Sequence, residues 1–168
     1  PLADRLAHSL RQRTVLHADE TPVAQLDPGK GKTKRAYLWA YRSNDLDTGP
    51  PIVVFDYQTS RSGQHARAFL NKWQGHLMVD DYAGYKALFG SSITELACLA
   101  HIRRKFFDLY AANTSPIAAD VLKRIGQVYA IEADSKKLTL SQRQTLRCQK
   151  AKPLLESLHA WLLATRHT

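Results

Sequence analysis

Apolar positions open the chain four residues apart, at Leu2, Leu6 and Leu10, which predicts a short amphipathic helix within residues 1–13. The period then shortens. Residues 14–22 predict a strand whose end carries acids, 35–41 a second strand rich in aromatics, and 52–57 a third. A Gly/Lys turn over 27–34 and a loop over 44–51 join them, so a three-stranded antiparallel meander is expected. Residues 62–73 regain helical spacing, with Ala66, Phe69, Leu70 and Trp73 on one face. Residues 76–79 predict a fourth strand running into Asp80 and Asp81, 82–89 a short helix closed by Gly90, and 93–99 a fifth strand. The remainder predicts helices. Ile102, Phe106, Leu109 and Tyr110 mark one, and Ile117, Val121, Ile125, Val128 and Tyr129 a second. A third starts near Ser141 and is kinked or restarted at Pro153.

Three antiparallel strands followed by alternating helices and parallel strands form the ribonuclease-H-like arrangement: an α/β fold with a mixed five-stranded sheet and flanking helices. Other α/β folds open in the same way, so pattern alone leaves them open. The Gly/Lys segment lacks the GxxxxGK[ST] spacing and is not read as a phosphate loop.

Composition adds a partner class. Of the 168 residues, 44% are hydrophobic and 23% charged, which is globular rather than disordered. No run is long enough for a membrane span and no signal segment opens the chain, so a cytoplasmic protein is expected. The net charge of +9 points to a polyanion. It is uneven: residues 1–90 hold 12 Lys+Arg against 9 Asp+Glu (net +3), and 91–168 hold 12 against 6 (net +6). Cys98 and Cys148 make no close ligand pair and read as small buried apolar residues.

The acids supply candidate chemistry. Asp19 lies on the first predicted strand and Asp80 at the end of the fourth, neighbours in a ribonuclease-H-like sheet. Converging carboxylates can hold a pair of Mg²⁺ ions about 3.5–4 Å apart for phosphodiester cleavage. A solvated turn residue or helix cap is the alternative for either acid, and of Asp80 and Asp81 only one can face a shared site.

Several short motifs occur in a specific order: 17–22 (HADETP), Tyr37-Leu-Trp39, 55–57 (FDY) with 60–63 (SRSG), 79–85 (VDDYAGY) and 98–106 (CLAHIRRKF). With 125–132 (IGQVYAIE) and 147–163, they span nearly the whole chain. Together they resemble the catalytic domain of the insertion-sequence-66 transposase family, a branch of the DDE transposases. The resemblance implies a ribonuclease-H-like core that binds Mg²⁺ (or Mn²⁺) and cuts and joins double-stranded DNA at element ends and target. It assigns Asp19 and Asp80 as catalytic metal ligands, with Asp81 where the family often has Gly. It also implies an N-terminal helix (1–13), an incomplete core (14–112) and a helical insertion (113–168). Nucleoid association, a homo-oligomer as a compatible state, and no membrane partner go with it. The family's third acid is a Glu in an Asp-Asn-Asn…Glu stretch followed by Arg-Lys-Asn. No such stretch occurs here, so the chain is expected to be inactive alone.

Arg103, Arg104 and Lys105 avoid the apolar face of their helix and are candidates for DNA phosphate contact, as are His101 and Arg61; a solvated face, a cap and a loop role are the respective alternatives. Lys136, Lys137, Arg143, Arg147, Lys150 and Lys152 form a second candidate DNA surface. Trp39, Tyr41, Trp73 and Trp161 are expected in the core. Two rival readings remain: a non-catalytic DNA-binding remnant of a transposase, and a nuclease complete in these residues, in which Glu132 or Asp134 serves as third acid.

Overall fold

In the computed structural model, which describes residues 1–166, the chain divides into two compact units, residues 1–98 and Leu99 onward. The first opens with α1 (Leu2–Leu10), which buries Ala7 and Leu10 and leaves Leu2 and Leu6 outside, so the buried stripe is one residue off the expected one. Strands β1 (Val15–Asp27), β2 (Lys32–Ser43) and β3 (Val53–Gln58) form the expected antiparallel meander. After α2 (Gln64–Leu70), β4 (Gly75–Val79) pairs parallel to β1, and β5 (Ile93–Ala97) parallel to β4. The sheet order is β3-β2-β1-β4-β5, a mixed five-stranded sheet of ribonuclease-H-like arrangement.

Alternation along the strands sorts the faces. Leu16 and Ala18 on β1, Trp39 and Tyr41 on β2, and Leu77 and Val79 on β4 share one core with Leu10, Leu70, Trp73 and Tyr85. The expected face of α2 is the observed one: Ala66 and Leu70 are buried, and Phe69 stacks on Tyr41 with centroids 3.7 Å apart. Trp73 Nε1 donates to the Arg13 carbonyl at 2.8 Å. Gly75 starts β4 at φ 154°, where a Cβ would lie 2.4 Å from the Thr14 carbonyl oxygen; the close approach of β4 to β1 requires glycine there.

Two expectations change here. The turn assigned to 27–34 is only the tight connection at 28–31, because β1 and β2 stay paired out to Asp27 and Lys32. The short helix after Asp81 is a 3₁₀ segment, Ala83–Leu88, which buries Tyr85.

The second unit is helical: α3 (Leu99–Asn113), α4 (Pro116–Ser135), α5 (Leu140–Leu146) and α6 (Lys152–Thr165). Ser115 caps α4 by accepting from Ala118 N, with Pro116 in the first turn. Thr139 and Gln142 form a capping box on α5. A π-helical segment, Arg147–Ala151, joins α5 to α6 just before Pro153, whose missing N–H and ring disfavour a continuous α-helix there. Val121, Ile125 and Leu158 make the core, with Leu99, Phe106, Trp161 and Leu162 against it. Ile102, Leu109, Tyr110, Ile117 and Tyr129, expected inside, are exposed; Ala118 takes the inner position beside Val121. Cys98 is half-buried and Cys148 is exposed, so neither is the fully buried small residue expected.

Candidate active site

The register of β1 on β4 pairs Val15 with His76, Leu16 with Leu77 and His17 with Met78. Two residues further along each parallel strand stand Asp19 and Asp80. The β4–β5 ladder continues to this point through the bond from Cys98 N to the Val79 carbonyl. Because Leu16, Ala18, Leu77 and Val79 face the core, His17, Asp19, Met78 and Asp80 share the opposite face. Asp19 is exposed and stands across from Ala40 of β2, a neighbour too small to cover it. Asp80 is half-buried, and its Oδ1 accepts from Tyr82 N at 2.9 Å, which orients the carboxyl group. His17 is held below the usual histidine range by burial and then by the charge of Arg42, its cross-strand partner, so it stands neutral beside these acids.

Glu20 points the other way. Its side chain is 0% exposed, and Oε1 accepts from Arg61 Nε at 2.8 Å and Nη2 at 2.5 Å, while Oε2 accepts from the Tyr85 hydroxyl at 2.7 Å. Burial pushes the Glu20 carboxyl above its ordinary range; the bonds from Tyr85 and Arg61 oppose that shift, and the charge of Asp80 adds to it. Tyr85 is pushed far up by burial and by its bond to Glu20, so its phenol stays a donor. Arg61 lies over the Tyr82 ring, 3.8 Å from its centroid, and the Tyr82 hydroxyl donates to the Arg61 carbonyl. The β3–α2 loop and the 3₁₀ segment meet so closely that a Cβ on Gly63 would lie 2.0 Å from the Gly84 carbonyl oxygen. One buried acid therefore ties the middle of β1 to the β3–α2 loop and to the 3₁₀ segment that follows Asp80.

Sequence reading did not find this cluster. The signal was the adjacent pair Asp19-Glu20: on a strand one of two neighbours must face inward, and an inward carboxylate needs a partner. Arg61, a candidate for DNA contact, is that partner, with a side chain 43% exposed and Nη1 outside the pair.

Asp81 is turned outward and ion-paired with Lys86 at 3.4 Å, and Lys86 also meets Glu95 at 2.6 Å. In the helical unit, Arg103, Arg104 and Lys105 are exposed on α3, but so are Ile102 and Leu109 of the expected apolar stripe. His101 is half-buried, with Nδ1 shielded from solvent and without a hydrogen-bond partner among the described residues. Glu132 is taken up by Arg147, whose Nε and Nη2 reach its two oxygens at 2.8 and 2.6 Å and hold its carboxyl below the ordinary range. Trp39, Tyr41 and Trp73 are buried, and Trp161 is half-buried beneath Arg124, 5.0 Å from its ring centroid.

Asp19 and Asp80 suit a hard cation that keeps several waters and takes one or two carboxylates plus substrate phosphates. Among the described residues no cluster of three or more His, Cys, Asp or Glu is arranged to hold a metal. Glu20 lies next in sequence but is on the wrong face.

A family profile described as Transposase IS66 family matches residues 1–168, from one end of the chain to the other. The chain belongs to the IS66 transposase family. Its similarity to two Sinorhizobium fredii proteins agrees with this. The uncharacterized protein y4jD is 36% identical over 173 residues, covering 97% of this chain and 34% of the relative. The uncharacterized protein y4qI is 33% identical over 168 residues, covering 94% and 31%. This IS66-family chain thus spans about a third of the length of the curated relatives it matches. Among its described residues no helix is long and apolar enough to cross a membrane.

Proposed function

We propose that this chain forms part of the catalytic portion of a DDE transposase, in which Asp19 and Asp80 bind Mg²⁺ or Mn²⁺ for DNA cleavage and strand transfer at insertion-element ends. The observation that supports this reading is the β1–β4 pairing, which runs to His17–Met78, two residues before Asp19 and Asp80 along neighbouring strands. When bound, the cation activates a water and stabilises the leaving oxygen. The protein's part is placement. Asp19 is held by its pairing with Ala40 of β2, and Asp80 by its bond from Tyr82 N. The Glu20–Arg61–Tyr85 cluster keeps the loops around Asp80 from shifting. His101, Arg103, Arg104 and Lys105 contact duplex DNA phosphates, and Arg61 offers Nη1 for the same purpose. With two acids in place, the chain binds metal but does not carry out strand transfer by itself.

The alternative is a non-catalytic DNA-binding remnant of a transposase, favoured by the absence of a three-ligand cluster among the described residues. Calorimetry with Mg²⁺ and Mn²⁺ separates the two. The parent chain should bind, and Asp19→Asn and Asp80→Asn should each weaken binding at least about tenfold, or 1.4 kcal/mol. Binding that survives both substitutions excludes these acids as ligands. A parent chain that binds neither ion favours the remnant.

A further inference from the structure

We infer that the outer half of the β1–β2 hairpin is a DNA-gripping ribbon that contacts the phosphates of duplex flanking the cleavage site. This rests on the DNA-processing reading above and adds a surface that reading does not use. β3 pairs with β2 only from Tyr37 to Arg42, and β4 with β1 only from Val15 to His17. Beyond Pro22 and Tyr37, β1 and β2 have no strand partner except each other, over five further pairs from Val23–Ala36 to Asp27–Lys32. At about 3.3 Å per residue those pairs project roughly 17 Å beyond the sheet. The tip turns through Gly29 and Gly31 at φ 82° and 61°, where an added Cβ would meet nothing within 4 Å.

A two-stranded ribbon is marginal in water unless something supports it. This one buries only Ala36 at its base, with Val23, Gln25 and Asp27 half-buried; Ala24, Leu26, Thr33, Lys34 and Arg35 are all exposed, Leu26 at 77%. Its charge is one-sided. Residues 21–36 carry Lys30, Lys32, Lys34 and Arg35 against a single acid, Asp27, which pairs with Lys30 at 3.3 Å. Lys32 and Lys34 stand two apart and share a face, with Arg35 on the other. Neighbouring like charges destabilise a ribbon, and a polyanion relieves that cost. A two-stranded ribbon fits the roughly 12 Å major groove of B-DNA. The cations on it are lysines and a single arginine, suited to phosphates, so this surface positions duplex rather than reading sequence.

The ribbon also continues the strand that bears Asp19. From Asp19 to Asp27 is eight residues, about 26 Å, which corresponds to roughly 8 base pairs at about 3.4 Å each. The grip therefore falls on duplex several base pairs from the scissile phosphate.

The test is fluorescence anisotropy of the whole chain with a labelled duplex of about 20 base pairs across a salt series near 100 mM. The triple variant Lys32→Ala, Lys34→Ala, Arg35→Ala should lose at least about tenfold in affinity, and its log–log salt slope should become shallower by about 2–3. All three side chains are exposed, and circular dichroism should show unchanged folding. The charge-keeping variant Lys32→Arg, Lys34→Arg should bind as the parent does. A triple variant with the parent's affinity and slope overturns the ribbon assignment while leaving the DNA reading in place. A parent chain that binds no duplex overturns both.

Discussion

Removing the Arg61 guanidinium should destabilise the sheet unit by an amount that grows with pH. Glu20 is fully enclosed, and its Oε1 depends on two N–H donors from Arg61. Hydrogen bonds to a charged group contribute roughly 1.5–3 kcal/mol each, and stripping the partner from a buried ion costs about 3–5 kcal/mol. Arg61 is 43% exposed, so water can partly replace it, and the expected cost of Arg61→Ala is nearer about 2 kcal/mol at pH 8. Burial has already raised the Glu20 carboxyl, and losing Arg61 raises it further because the bonds from Arg61 oppose that rise. A carboxyl whose folded pKa lies above its unfolded value binds more protons when folded, so stability falls as pH rises through that range. As pH falls the carboxyl accepts a proton and the uncompensated charge disappears, so the cost of Arg61→Ala should be smaller, about 1 kcal/mol, when the assay is repeated near pH 5. The assay is urea unfolding of parent and variant at both pH values, followed by the fluorescence of Trp39, whose ring lies 5.7 Å from that of Tyr85. Arg61→Lys should fall between the two, since it keeps the charge without the two-pronged geometry. Equal costs at the two pH values, or a larger cost at the lower one, would refute the reasoning.

Other outcomes follow from the same structure. Gly63→Ala should cost about 1–3 kcal/mol in urea unfolding, because its Cβ would press on the Gly84 backbone and force the two loops apart. It should also weaken metal binding at Asp80 in calorimetry. Glu132→Gln should show the opposite pH trend to Arg61→Ala. Its carboxyl is lowered by Arg147, so the stability from the pair is present above the unfolded value and lost as pH falls through the folded one. Both side chains are more than a third exposed, so about 0.5–1 kcal/mol is expected near pH 7, shrinking as the pH is lowered. Thr139→Ala removes the capping box of α5 and should cost about 1 kcal/mol in the same assay.

What could be read in advance followed from burial. The five strands, their order of appearance and the neighbouring of the strands that lead to Asp19 and Asp80 are legible because half of each strand faces one core and imposes alternation on the sequence. The ribbon buries little before Ala36, so Lys32 to Lys34 show no alternation and read as turn. The apolar face of α3 was inferred from Ile102 and Leu109, yet spacing cannot tell how much of an apolar stripe a neighbour covers, and both are exposed. Glu20 was passed over because its partner lies 41 residues away, a pairing that only the fold can reveal. The π segment before Pro153 was anticipated as a break, though not its geometry.

The opposed facing of Asp19 and Glu20 also guards the pairing of β1 during folding. A slip of one residue would exchange the two faces along the strand. Asp19 would then enter the core near Trp39 and Tyr85, one methylene too short to reach the donors that satisfy Glu20, while Glu20 would emerge on the open face. An unpaired carboxylate in that core would cost several kcal/mol, a penalty that falls on the misaligned sheet and spares the aligned one. A polar residue at the centre of the sheet thus acts as a proofreading device. The strand can settle only where its outward acid lies beside Asp80.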